Sequence, residues 1–471
     1  MDPRPFPELS SYLTQLLQDP IVQNDPKLKL RCLVTKGDIE IEINPPLARE
    51  VWQKVLELAR SIGDKKWEAR AQGKISYLTF FEGDITTAQQ IGTTAFFAAM
   101  MLGDIGAQIT YYSVIAHGMN EMGRFEEGLK QSNSALKLAV DNRDAGFPFA
   151  AYLAKARAQY ELKNYSAAKE ILERCLEQAR LHNSRLQEAY VLILLGKEAT
   201  AENDLHQAIE FLELAGVLCT ERGFYHSLAW SMYELALLYR TTGDLSKAEE
   251  RAAVAWDAMK RVGDNKYHPP QHLALLADLK ARQGKLTEAD ALYEQTSDIT
   301  EGMLVTAPST QSKSVLIGMM SSNYIEHFSL AVNRLKDVKR AFQVLERARG
   351  RTVADSLRSS SQAPEQPDPA QQAGLREISR LQLKLREATS RAERKQLLDE
   401  LFFAEYSSLH PGESMGELAR LTVRSEPAAL EELQKILRAD ELVLEYVLND
   451  PESSCLVISK EKADIPAQIW T

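Results

Sequence analysis

The chain has 471 residues, 56 basic against 66 acidic side chains for a formal net charge of -10, and only 7% aromatics. That length exceeds one compact core, so the chain divides into domains or extends as a repeat array, and its acidic balance disfavours a sequence-independent hold on phosphate backbones. The cysteines (Cys32, Cys175, Cys219, Cys455) are scattered without a CxxC pair, which argues against a disulfide framework or a zinc site and fits a reducing compartment.

Residues 1–45 are expected to form an N-terminal helical cap. The opening, Met1 to Glu8, has acids and prolines where a secretory leader needs a basic patch and then an apolar stretch. No run approaches the ~20 apolar residues that cross a bilayer. The expectation is a cytoplasmic chain without a membrane partner.

From residue 46 the sequence repeats itself. Turn motifs centred on Gly83, Gly123, Asn203, Gly243 and Gly284 recur every 40 residues with one slip to 41, and Lys163-Asn164-Tyr165 falls in register between them. Three columns of small side chains keep the same step: Ala88, Gly128, Ala168, Ala208, Ala248 and Ala289; then Ala95, Ala135, Cys175, Ala215, Ala255 and Thr296; and, before the turn, Ser76, Ala116, Ala156, Gly196, Ala236 and Ala277. Two antiparallel helices approach closely only where their facing side chains are small, so these columns predict where helix A of each unit meets helix B. Ala48 extends the first column backwards. A second turn series, among it Gly63-Asp64, Gly103-Asp104, Arg143-Asp144, Asn183-Ser184, Gly223 and Gly263-Asp264, closes each unit.

The pattern of small residue, Gly-Asp turn, apolar residue and two alanines resembles the tetratricopeptide repeat, in a form six residues longer than the usual 34-residue unit. The resemblance implies a right-handed α-α superhelix over 46–355 that binds a protein or peptide, or the chain's own C-terminal part. One residue after the pre-turn small column come Tyr77, His117, Arg157, Lys197, Leu237 and Asp278. That position is expected to face the concave groove. With Asn120, Tyr160 and Arg240 one turn on, His117, Arg157 and Lys197 would offer an acidic or carboxylate-bearing guest its partners; a solvated charged face is the plainer alternative.

Residues 356–374 read as a disordered linker, because the stretch 359–372 holds three prolines and no large apolar side chain. Over 375–471 helical periodicity returns as a hairpin to about Leu409. A short helix from Pro427 to Leu437 follows, then two strand-like runs, Glu441 to Leu448 and Ser454 to Ser459, separated by Asn449-Asp450-Pro451-Glu452. This order, from the helix ending Glu346-Arg347-Ala348-Arg349 onward, resembles the opening of the CHAT domain, a caspase-like α/β fold that follows tetratricopeptide arrays. The resemblance implies that a complete protein of this kind is a cysteine peptidase.

The catalytic His and Cys of that family lie further along its fold, so neither is carried onto this chain. Cys455 sits within an apolar run, where a thiol is a packing residue rather than a nucleophile. His268 and His272 have one-face spacing at a helix entrance but no third ligand, so no metal is expected. No GxxxxGK[ST] or GxSxG motif occurs, and no cofactor or catalytic residue is expected. The sequence therefore points to a regulatory interaction solenoid. A scaffold with a degenerate CHAT region and a peptide-sensing regulator are its rivals.

Overall fold

A computed structural model describes residues 4–81, 85–121, 123–142, 146–262, 269–306, 310–348, 429–447, 452–464 and 468–470, with isolated positions between 377 and 400. The turns at 82–84, 143–144, 263–264 and 449–451, the linker 356–374, His268 and most of the hairpin after 375 lie outside the described residues. Contacts divide the chain into two units, Met1–Leu279 and Lys280–Thr471. No helix among the described residues is long and apolar enough to cross a membrane.

The first unit opens with α1 (Phe6–Leu16) and α2 (Pro20–Asn24) and continues as helix pairs. Helices α3 (Pro26–Ile43), α5 (Lys65–Phe81), α7 (Ile105–Glu121), α9 (Phe149–Glu161), α11 (Arg185–Ala201), α13 (Tyr225–Thr242) and α15 (Pro269–Arg282) are the A members. Their B partners are α4 (Pro45–Ser61), α6 (Ile85–Met101), α8 (Phe125–Asp141), α10 (Tyr165–Leu181), α12 (Leu205–Arg222) and α14 (Leu245–Arg261). The array starts earlier than the boundary at 46 read from the sequence, because α3 packs on α4 in one core with Trp52 and Val55. Its connection, Asn44 followed by Pro45, replaces the Gly-Asp turn, so α4 shows the repeat pattern through Ala48 while α3 does not.

The small columns lie where the pairing argument puts them. Ala48, Ala95, Ala116, Ala135, Ala168, Ala208, Ala215, Ala236, Ala248, Ala255, Ala277 and Ala289 are all fully buried. At Gly196 even a methyl is excluded, since a Cβ would stand 2.5 Å from Leu212 Cγ across the α11–α12 interface. The turns follow from the same residues. The left-handed position is filled by Gly123, Lys163, Asn203, Gly243 and Gly284, and the next amide reaches back five residues, as Asn164 N to Gln159 O (2.8 Å) and Asp204 N to Ala199 O (2.8 Å). The Asp that follows caps the next helix, Asp204 Oδ1 accepting from Gln207 N at 3.1 Å and Asp244 Oδ1 from Lys247 N at 3.1 Å.

Direct contact runs between successive A helices, α5 with α7, α7 with α9, α9 with α11 and α11 with α13. In a curved stack, elements draw together on the inner side, so the A helices form the inner wall. The curvature is strong enough that α3 touches α13.

The second unit contains α16 (Leu286–Thr306), α17 (Thr310–Ser329), a π-helical stretch Leu330–Leu335, a helix over 338–348 and a short helix Leu430–Ile436. Strand β1 (Leu442–Val447) pairs antiparallel with β2 (Glu452–Ser459), Leu442 opposite Ser459 and Val447 opposite Ser454. Two further short strands, β3 (Ala463–Asp464) and β4 (Gln468–Trp470), also pair antiparallel with β2. Leu456, Ile458 and Val447 share a core with Phe328, Phe342 and Leu345, so the sheet packs on the last helices of the array itself. Arg347, half-buried, fastens that helix to α16 through Glu294, Asp298 (2.7 Å) and Glu301 (2.6 Å).

Candidate functional site

Five of the six residues singled out from the sequence line the inner wall, and all of them are engaged. Arg157 of α9 pairs with Glu121 of α7, and His117, one turn before Glu121 on the same helix, lies 3.6 Å from it. Lys197 of α11 pairs with Glu234 of α13 at 3.2 Å. Arg240 of α13 pairs with Asp278 of α15 at 3.1 Å. Tyr160 lies between these pairs, its ring 5.7 Å from the Lys197 ammonium and edge-on to Tyr165 at 5.5 Å. A cleft between α9 and α11 is lined by Arg157, Tyr160, Glu161, Leu194 and Lys197.

Asn120 does not join them. It is 2% exposed and donates from Nδ2 to the Ala154 carbonyl at 2.9 Å, so it serves the contact between α7 and α9 rather than the groove. Tyr160 and Arg240 stand at the same repeat position, and what differs at Asn120 is the glycine facing it on α8: a Cβ at Gly128 would collide with Asn120 Oδ1, so the side chain fills that space in the interface. His272 is likewise buried, its ring 4.8 Å from Tyr233. Among the described residues no group of three or more His, Cys, Asp or Glu could hold a metal ion. All four cysteines are buried and free.

His117 keeps 37% of its side-chain surface, yet loss of solvation pulls its pKa below the ordinary histidine value; Glu121 opposes this, and Arg157 and His226 of α13 reinforce it. Tyr77 is pushed well above the usual phenol range by burial and by the charges of Glu42 and Glu121. Burial carries Tyr160 up to about 12. Side chains from α3, α5, α7, α9 and α13 thus sense one another across a common space.

Sequence reasoning found the basic side chains and Asp278, and missed Glu121 and Glu234. Glu121 and Glu234 stand at different repeat positions, and in register Glu234 is matched by Leu194 in the unit before and Leu275 in the unit after, so no shared column marks them. Glu42, Tyr190 and Ser227, which converge further along the same wall, belong to different units and different columns, and only the curvature brings them together.

This geometry defines a tetratricopeptide-like solenoid of helix pairs with a charged inner wall. A family model, the tetratricopeptide repeat, matches residues 149–180, the α9–α10 pair. No curated protein matches the chain. Among solved structures, NprR in complex with its cognate peptide NprX is 12% identical with a TM-score of 0.46, over 70% of this chain and 98% of that one. A Rap protein complexed with Competence and Sporulation Factor is 13% identical with a TM-score of 0.42, over 69% and 99%. A monomeric IFIT1 mutant with Gppp-AAAA is 13% identical with a TM-score of 0.43, over 84% and 80%. Likeness at this level is silent on function.

Proposed function

We propose that the chain is a recognition solenoid whose inner wall takes a protein or peptide segment, or another part of its own polypeptide, through carboxylates of the guest. The observation that carries this reading is the row of partly buried basic side chains on successive inner helices, the cations Arg157, Lys197 and Arg240 and the imidazole of His117, each already facing an acid. An incoming carboxylate then exchanges with a standing one, and no bare cation has to be kept desolvated beforehand.

Titration of the purified chain with hexaglutamate and with hexalysine tests it. Binding of hexaglutamate that is lost in the Arg157→Ala/Lys197→Ala double variant supports the reading; equal binding of hexalysine, or survival of binding in the double variant, refutes it.

The wider reading is that this array regulates a caspase-like peptidase of the CHAT kind. It is supported by the order of the last array helix, a short helix and the antiparallel β1–β2 hairpin, which matches the order from which that resemblance came. On this reading the chain itself leaves a peptide library intact; cleavage by residues 1–471 alone contradicts it.

A further inference from the structure

The coil is closed by a buried carboxylate that faces no cation among the described residues. Glu42, near the end of α3 and 2% exposed, accepts from Tyr190 Oη of α11 at 2.6 Å and from Ser227 of α13, Oγ at 3.1 Å and backbone N at 3.4 Å. These partners stand 148 and 185 residues further along the chain. A second fastening lies beside it. The Phe6 ring meets Phe224 edge-on at 4.5 Å, and Gly223, at φ 69°, lets Pro7 approach so closely that a Cβ there would lie 2.5 Å from Pro7 Cδ.

A carboxylate that has left water for neutral donors alone is held less firmly than one paired with a cation. The same donors accept any carboxylate of similar reach. Tyr190 stands seven residues before Lys197 on α11, two turns along one face, so the donors that hold Glu42 continue the stripe of the proposed guest site. His226, beside Ser227, is felt by His117 across the interior.

We propose that Glu42 is the resident occupant of a carboxylate subsite made by Tyr190 and Ser227, and that a guest carboxylate displaces it and unlatches the first turn of the coil. This rests on the inner wall being the guest site. Each helix pair touches mainly its neighbours, so loss of the bonds from Glu42 to α11 and α13 loosens the curvature of the array.

The experiment uses the full chain with Glu8→Cys and Glu221→Cys, both exposed positions, spin-labelled for pulsed distance measurement while the native thiols stay buried. One narrow distance is expected without ligand. Adding Glu42→Ala or Tyr190→Phe is expected to introduce a second, longer distance at an unchanged helical content, and hexaglutamate is expected to do the same in the otherwise native background. Labelled hexaglutamate should bind Glu42→Ala about tenfold more tightly, as when a competing closed state is removed. A single unchanged distance in both variants overturns the latch. Opening in the variants but none with bound hexaglutamate overturns the displacement. Absence of hexaglutamate binding in every variant counts against the guest site itself, while the distances of the ligand-free variants still decide the latch.

Discussion

Lys197 on α11 reaches Glu234 on α13 at 3.2 Å while its ammonium stands 5.7 Å from the Tyr160 ring on α9. One side chain therefore ties three successive inner helices. Removing the acid and removing the cation have opposite consequences for a guest. Glu234→Gln keeps the packing but releases Lys197 from its standing partner, so hexaglutamate affinity should rise, by a few-fold for loss of a partly exposed pair worth about 1 kcal/mol. Lys197→Ala should lower it by a similar factor. Titration calorimetry on both variants checks the pair; a fall in both means that Lys197 acts only as a structural strut.

The small-residue columns make a stability prediction. Ala208 of α12 is fully buried against α11, where its carbonyl would stand 3.3 Å from any Cβ at Gly196. Ala208→Leu should destabilise the array by ~1–3 kcal/mol through overpacking. The matched change Ala253→Leu, at an exposed position of α14, should stay within about 0.5 kcal/mol. Chemical denaturation of the two variants measures the difference, and equal effects would contradict the placement of the columns.

These examples show which parts of the fold are legible in sequence. A repeat prints itself wherever one physical constraint recurs with the unit, so the alanine columns and the turns at Gly123, Asn203 and Gly243 could be read directly. Of the pair α3–α4 only Ala48 could, because Pro45 and Asn44 solve the turn differently. The basic side chains of the inner wall were legible because His117, Arg157 and Lys197 share one column and Arg240 stands one turn from it. Glu121 and Glu234 were not, since they lie on α7 and α13 at unrelated repeat positions. Glu42 and Tyr190 were beyond reach altogether, because that contact is set by the accumulated curvature of several units and by no local pattern.

Lys163 carries a second stability prediction. It occupies the turn position that Gly123 and Gly243 fill in other units, with φ 64°. A side chain in the left-handed region costs about 1–2 kcal/mol relative to the ordinary helical region, whereas glycine has no Cβ to clash and returns part of that gain as extra unfolded-state entropy. Lys163→Gly is therefore expected to stabilise the array by about 0.5–1 kcal/mol, read as a higher denaturation midpoint at unchanged slope. A loss of stability would show that the Lys163 side chain makes a contact worth more than the strain.

Glu198 makes stability depend on pH. It is 1% exposed on α11, neither carboxylate oxygen has a hydrogen-bond partner, and the nearest cation, Lys169, is 3.9 Å away and closer to Glu202 at 3.0 Å. Burial raises its pKa to about 7, with Glu202 and Glu173 adding to the rise and Lys169 opposing it. The folded chain therefore holds this proton up to near neutrality, while the unfolded chain releases it at the ordinary carboxylate value. Between roughly pH 4.5 and 7 the unfolded state binds fewer protons than the folded one, so the contribution of Glu198 to stability falls as pH rises through that window and is level above it. Glu198→Gln removes the titration. The variant should match the parent near pH 4.5 and exceed it at pH 8 by roughly 2–3 kcal/mol, measured by urea denaturation at the two values. A variant that gains nothing at pH 8 would mean that the carboxylate reaches water or Lys169 in solution and that α11 does not bury it against α10.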